Sequence, residues 1–323
     1  MKILITGAAG YIGSVLTKNL LDQGYQVRGL DCLNFGGESL LGVYSQRNFE
    51  FLKGDIRRKD DVVKALRGVD AVVNLAAIVG DPACAKQPEV ARETNWEAAK
   101  MLFDLSQKSG RVKRFVSAST CSNYGKMSGT GYLNEESPLN PVSLYAELKV
   151  QFERYMLSAK KVKGFATTSL RFATAFGLAP RIRFDLTVNE FVKEAALGRE
   201  LVIYGEQFWR PYCHVYDIAR ACQLVLESNV QKVDRQVFGV GDTKENYQKK
   251  MLAEEITKII PAANIRFVHK NEDPRDYRVD FSKIRRTLGF KIERNVPFGM
   301  RELYACIRDG IIQEPDSQRY KNV

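Results

Sequence analysis

The chain has 323 residues, 45% hydrophobic and 27% charged, an ordinary balance for a water-soluble protein able to bury one large core or two modest ones without disulfide staples. No run approaches the ~20 apolar residues of a membrane span. The opening apolar stretch is too short for a secretory signal, so no membrane association is expected and the cytoplasm is the expected compartment. The net charge is +11, but the basic residues are interleaved with acids rather than gathered in an arm. That pattern favours a solvated surface and an anionic small substrate over nucleic acid. Six cysteines without a C-x-x-C pair and only two histidines argue against a disulfide frame or a metal site.

Lys2-Ile3-Leu4-Ile5-Thr6 reads as a buried strand that runs into Gly7-Ala8-Ala9-Gly10-Tyr11-Ile12-Gly13 and then a helical pattern from Ile12 to Gln23. Gly7 lets the chain reverse, Gly10 lets backbone approach a diphosphate, and Gly13 lets the helix pack on the strand, which places an anion at the helix N-terminus with Tyr11 and Ile12 beside it. A second strand, Gln26 to Leu30, closes on Asp31, eighteen positions after Gly13. An acid there accepts the ribose 2′-hydroxyl and repels a 2′-phosphate, which favours NAD over NADP.

A loop at 31–37, a helix at 38–45 and a strand at Phe49–Lys53 follow, with Asp55 and Ile56 placed near an adenine ring. Asp60–Leu66 is a short amphipathic helix and Val69–Leu75 an apolar strand, which ends in the small residues of Leu75-Ala76-Ala77, where a cofactor can pass close to backbone. Helices at Pro88–Ser109 and Ser143–Ala159 flank a strand at Arg114–Ser119, and Ala166–Phe172 is a sixth strand. Strands separated by helices of this length imply right-handed crossovers and an α/β, doubly wound parallel sheet with ligands at its carboxyl ends.

Past Phe172 the alternation breaks into a basic, proline-marked loop at 178–183, a helix at Leu186–Leu197, a strand at Leu201–Tyr204 and a strand-to-helix return at Tyr212–Leu226. Helices near Gln248–Ile259 and Ser282–Thr287 surround the loop 272–277. The expected division is a Rossmann-type domain of residues 1–172 plus 212–242, and a smaller C-terminal substrate lobe of residues 173–211 and 243–323.

Tyr145 and Lys149 stand four apart on one helical face, within reach of one ligand. A tyrosine of ordinary pKa, about 10, is no base near neutrality, but a neighbouring cation favours the phenolate. A shift of ~3 units corresponds to about 4 kcal/mol, a demand that Lys149 and a positively charged nicotinamide can share. The strand end Ser117-Ala118-Ser119-Thr120 adds hydroxyls where such a sheet binds substrate, with Thr120 as a second partner for the reacting hydroxyl.

Together, Gly7-x-x-Gly10-x-x-Gly13, Asn74-Leu75-Ala76-Ala77, Ser119-Thr120, Tyr145-x-x-x-Lys149 and Arg210-Pro211-Tyr212-Cys213-His214 resemble the extended short-chain dehydrogenase/reductase family, which acts on nucleotide-activated sugars. The resemblance implies NAD as cofactor and a nucleotide-diphosphate sugar as substrate. It implies Tyr145 as base, Lys149 holding the nicotinamide ribose and lowering the tyrosine pKa, and Thr120 on the substrate hydroxyl. Arg210 and Arg275 are implied on the substrate diphosphate, a role that suits the planar guanidinium fork; Arg181 and Arg183 stand level between that role and surface ion pairs. It also implies a homodimer through the two long helices.

Departures narrow the reaction. The 4,6-dehydratases of this family carry an Asp-Glu pair after the strand-end threonine, where this chain has Cys121 and Ser122, which disfavours that reaction. Ala173 stands where many members carry asparagine, so Asn189 is the expected polar contact in its place. The loops at 180–189 and 273–277 resemble a subgroup that includes a heptose 4-dehydrogenase and an exo-glycal-forming 5,6-dehydratase. The reading is an epimerase that oxidises the sugar, at C4, to a transient ketone; a 4-dehydrogenase, a ketoreductase and a 5,6-dehydratase remain open on the same residues. More remote are a non-catalytic nucleotide- or RNA-binding protein and an NADP-dependent reductase.

Overall fold

Strict alternation of apolar side chains in the first strand builds the centre of the molecule. In the computed structural model, which describes residues 1–127, 129–271 and 275–322, Ile3 and Ile5 face one side of a sheet and Leu4 the other. Glu272, Asp273 and Pro274 of the expected loop at 272–277 lie outside the described residues.

The first half runs β1 (Lys2–Thr6), α1 (Tyr11–Asp22), β2 (Gln26–Asp31), α2 (Leu41–Tyr44), β3 (Phe49–Lys53), α3 (Lys59–Leu66), β4 (Ala71–Asn74), α4 (Asp81–Lys86), α5 (Pro88–Arg92), α6 (Ala99–Lys108), β5 (Arg114–Thr120), α7 (Leu144–Ser158) and β6 (Ala166–Phe172). The second half adds β7 (Thr174–Phe176), α8 (Thr187–Ala196), β8 (Glu200–Tyr204), β9 (Trp209–His214), α9 (Val215–Glu227), α10 (Val230–Val233), β10 (Gln236–Val240), β11 (Asn246–Gln248), α11 (Lys249–Ile259), β12 (Asn264–Val268), α12 (Ser282–Leu288) and α13 (Val296–Arg308).

Seven strands pair in parallel in the order β3-β2-β1-β4-β5-β6-β10, the doubly wound sheet expected from the sequence with one strand more. On one face Ile3 and Ile5 pack with Leu16 and Leu20 of α1 and with Ala219 and Cys222 of α9, the helix that returns to the sheet. On the other, Leu4 and Val72 pack with Val62, Leu102 and an edge-to-face group of Phe103, Phe115 and Phe152. The strand order reverses between β1 and β4, and such a reversal opens a crevice at the carboxyl ends of the strands.

A second apolar cluster gathers Phe184, Val188 and Phe191 with Leu201, Tyr212, Leu252, Ile256, Met300 and Leu303, so it draws on segments before and after α9. Three features depart from the sequence reading. The helix expected at 88–109 is interrupted: a wide turn at Glu93–Ala98 separates α5 from α6 and turns Asn95 inward, where it is 2% exposed. Residues Tyr277, Val279, Phe281, Ile284 and Phe290, assigned to the smaller lobe, pack in the core of the large sheet instead. β10, β12 and α13 are elements that the sequence pattern does not single out. Among the described residues no helix is long and apolar enough to cross a membrane.

Candidate active site

The turn between β1 and α1 is built by close backbone approach. Gly7 has φ +72°, and a Cβ on it would stand 2.9 Å from the Ala76 backbone nitrogen; a Cβ on Gly13 would stand 2.0 Å from the Gly7 carbonyl. Helix α1 starts on Gly10 with no side-chain cap, so the first-turn N–H groups of this helix, Tyr11 and Ile12 among them, have no capping side chain and suit an anion. The Tyr11 side chain itself points away and donates to the Gly177 carbonyl at 2.6 Å. Asp31 accepts from Ala9 N–H at 2.9 Å and Leu33 N–H at 2.8 Å; burial raises its pKa, and these bonds and the charge of Arg181 oppose that rise.

Beside this turn, Leu75 N–H and Ala76 N–H donate to the carbonyl and hydroxyl of Thr6 at 3.2 Å each, which brings the ends of β1 and β4 together. Asn95 clamps the next residues, because its side-chain amide both accepts from and donates to the Ile78 backbone at 2.8 Å. Ala77 lies between these two anchors. Asp55 follows β3, where Arg57 grips its carboxylate at 2.6 Å and lowers its pKa, and Ile56 is a core residue with Leu30 and Val62.

Helix α7 is capped by Ser143, whose hydroxyl accepts from Ala146 N–H and donates to Asp81 at 2.6 Å. One turn on, Tyr145 and Lys149 share a face as expected. The Lys149 ammonium donates to the Ala118 carbonyl at 3.0 Å and lies 6.0 Å from the Tyr145 ring centre; burial draws its pKa down to about 8. The expected depression of the Tyr145 pKa is shared between Lys149 and the nicotinamide cation, and the chain's own groups push that pKa the other way. Burial raises it, Cys84 and Asp81 add to the rise, and the leading opposing charge is Arg183 rather than Lys149, which is turned to Ala118.

Thr120 ends β5, and its hydroxyl accepts from Ser122 N–H at 3.1 Å. Cys121, where the dehydratase pattern has its acid, is 1% exposed and donates its thiol proton to the Arg171 carbonyl. Behind it a buried ion pair, Arg171–Glu153 at 2.6 Å, fixes the Tyr124 hydroxyl.

The arginines separate into two groups. Arg210 stacks over Tyr277 at 5.3 Å, Arg275 pairs with Asp81 at 2.8 Å, and the charges of both act on the Tyr277 hydroxyl, which in turn acts on Tyr145. Arg183 is held by Asp185 in a two-point pair, and its charge acts on both Tyr11 and Tyr145. Arg181 lies over the Phe35 ring, toward Asp31. Asn189 is a correction: it is fully buried, and its amide bonds Gly177 N–H at 2.8 Å and the Arg183 carbonyl at 2.8 Å, so it shapes the loop that carries the arginines. Asp81, Cys84, Asn95 and Tyr277 were not singled out from the sequence. The Asp81-Pro82 step, a helix start just beyond Ala77, is the local signal for the first of them.

Residues 3–241 match the model of the NAD dependent epimerase/dehydratase family. The chain belongs to that family. Its relatives include a dTDP-glucose 4,6-dehydratase of Streptomyces niveus, 31% identical over 96% of this chain and 93% of the relative. The fold is similar to a dTDP-glucose 4,6-dehydratase of Streptomyces venezuelae solved with NAD bound, at TM-score 0.86 and 27% identity over 98% of this chain and 100% of that one. It is similar as well to a UDP-glucose 4-epimerase of Thermotoga maritima solved with UDP-glucose, at TM-score 0.85 and 26% identity over 97% and 100%. As an epimerase/dehydratase of nucleotide sugars it uses NAD, and the glycine turn with the uncapped start of α1 fits that dinucleotide.

Proposed function

We propose that this family member is an epimerase that oxidises a nucleotide sugar at C4 to a transient ketone and reduces it on the opposite face. The observation that carries the reading is the placement of Tyr145 and Lys149 on one face of α7, with Lys149 bonded to the Ala118 carbonyl of β5, the strand that ends on Thr120, while Cys121 is sealed in the core and offers no acid for elimination. Bound NAD supplies the hydride acceptor and a positive nicotinamide. Tyr145 takes the hydroxyl proton, Thr120 orients the hydroxyl, and Lys149 holds the nicotinamide ribose. Gly7, Gly10, Tyr11, Ile12 and Gly13 hold the dinucleotide's diphosphate through backbone, Asp31 its ribose, and 75–77 line its path. Arg210 and Arg275 receive the substrate diphosphate, with Tyr277 between them and Tyr145.

The buried phenol needs strong help to ionise: Arg183 opposes the rise that burial causes without cancelling it, and the positive nicotinamide of bound NAD adds to that help. We take the substrate lobe as 173–211 and 243–323 less the core-packed stretch around 277–290, and the working unit as a homodimer. A monomeric mass by light scattering would contradict the dimer.

A second reading, dehydration, is favoured by Asp81, a carboxylate within the electrostatic reach of Tyr145 and anchored by Ser143. Incubation of the purified protein with UDP- and dTDP-glucose, followed by mass spectrometry and sugar analysis, separates the two. An unchanged mass with inverted C4 supports the epimerase, and loss of one water supports dehydration. No conversion of any nucleotide sugar counts against both.

A further inference from the structure

By sequence Arg181 stands level between the substrate diphosphate and a surface ion pair, but the surroundings of this residue belong to the dinucleotide half. Its guanidinium carbon lies 4.2 Å from the centre of the Phe35 ring, just after β2, and its charge acts on Asp31. Tyr11, at the start of α1, acts on Arg181 in turn. On its far side Nη2 donates to the Lys321 carbonyl at 3.1 Å. The segment around Lys321 also accepts from Phe184 N–H through Tyr320 at 2.9 Å and donates to Asp185 through Asn322 N–H at 3.2 Å, so the loop is pinned from behind.

Arg181 is 7% exposed, and its Nε–H is buried without a hydrogen-bond partner among the described residues. Burial and the neighbouring Arg183 draw its pKa down to about 10, which leaves it a cation near neutrality. A buried cation with an unpaired N–H is costly unless an anion meets it. Between Tyr11 and Asp31 lies the span from a helix N-terminus that suits phosphate to a carboxylate that suits ribose hydroxyls.

We propose that Arg181 is a cofactor-binding residue that engages the anionic diphosphate-ribose portion of NAD, with Phe35 as its stacking shelf. The inference rests on NAD as cofactor and is independent of which sugar reaction follows. Arg183, whose charge reaches Tyr145, stays with the reaction centre, so two neighbouring arginines of one loop serve different ligands.

The test titrates NAD and ADP-ribose into the nucleotide-stripped full chain, and UDP and dTDP into the NAD-saturated chain, for wild type, Arg181→Met, Arg181→Lys and Phe35→Ala. Arg181→Met should weaken NAD and ADP-ribose by the same factor, tenfold or more, on the order of one lost charge-assisted contact. Arg181→Lys should fall between it and wild type. Phe35→Ala, at a position 46% exposed where the fold does not depend on the ring, should weaken both ligands severalfold. Affinity for UDP or dTDP should stay within twofold. NAD and ADP-ribose affinities within twofold of wild type in Arg181→Met or, should that variant not fold, in both Arg181→Lys and Phe35→Ala, or a loss of UDP and dTDP as large as that of NAD, would overturn the proposal. Failure of wild type to bind either UDP or dTDP would count against the nucleotide-sugar reading and leave the NAD arm intact.

Discussion

Gly13→Ala should damage folding and cofactor binding together. The added methyl would sit 2.0 Å from the Gly7 carbonyl oxygen and 2.9 Å from Ala8 Cα, both backbone atoms that cannot rotate aside. Ordinary contact begins at 3.4 Å, so the start of α1 and the Gly7 turn must part by about 1.4 Å. Overpacking of this kind costs about 1–3 kcal/mol of stability. The same displacement takes first-turn N–H groups out of the 2.7–3.2 Å hydrogen-bond range to a bound phosphate. Loss of one or two such charged contacts costs about 2–5 kcal/mol, a ~30-fold to several-thousand-fold weaker NAD complex. Calorimetric titration with NAD beside thermal denaturation measures both quantities. Gly10→Ala is the companion: with φ −74° and its nearest contact at 3.1 Å it strains the chain far less, so its loss should fall on NAD with little change in melting temperature. NAD affinity within threefold of wild type for Gly13→Ala, in a protein of unchanged melting temperature, would show that the turn tolerates the methyl and that the close approach is not needed for the cofactor.

Burial draws Lys149 from 10.5 to about 8, so the folded state disfavours its ammonium by about 3 kcal/mol below pH ~8, and the penalty fades as pH rises toward 10.5. Lys149→Met should therefore melt above wild type near neutrality, with the gap closing by pH ~10; a gap that widens with pH would contradict this. Glu153→Ala strands the buried Arg171 guanidinium and should cost about 3–5 kcal/mol in denaturant unfolding, whereas a loss under ~1 kcal/mol would mean the pair is replaceable by water. Asn95→Ala removes both bonds to Ile78 and should lower stability by about 1–3 kcal/mol and weaken NAD together, since the end of β4 loosens; weakening of neither would show the clamp to be idle.

What could be read from the sequence was whatever is local. The Gly7, Gly10, Gly13 turn, the Asp31 acid and the Tyr145–Lys149 pair each sit within a few residues of one another or of one strand end, so spacing alone carries them. β10 and β12 are five-residue strands beyond the point where strand and helix alternate, and nothing in their own pattern separates them from loop. The break at Glu93–Ala98 is equally silent, because a wide turn keeps helical composition and shows its purpose only when Asn95 meets Ile78. Charge is harder to read from sequence where burial competes. Lys149 is the natural partner of Tyr145 by spacing, yet desolvation dominates the phenol and the opposing charge comes from Arg183, 38 residues away in sequence. Arg181 and Arg183 look alike in a basic loop, and only the tertiary fold sends one toward Phe35 and the other toward Tyr145.

The proposed reaction begins when Tyr145 initiates oxidation of a nucleotide sugar by bound NAD. Its most direct test is the absorbance of NADH after UDP- or dTDP-glucose is mixed with NAD-loaded wild type and with Tyr145→Phe. Wild type should show NADH form and decay within turnover, and Tyr145→Phe should bind NAD normally and form none. NADH formation at comparable rates in both proteins, or product from Tyr145→Phe at near-normal rate, would contradict it.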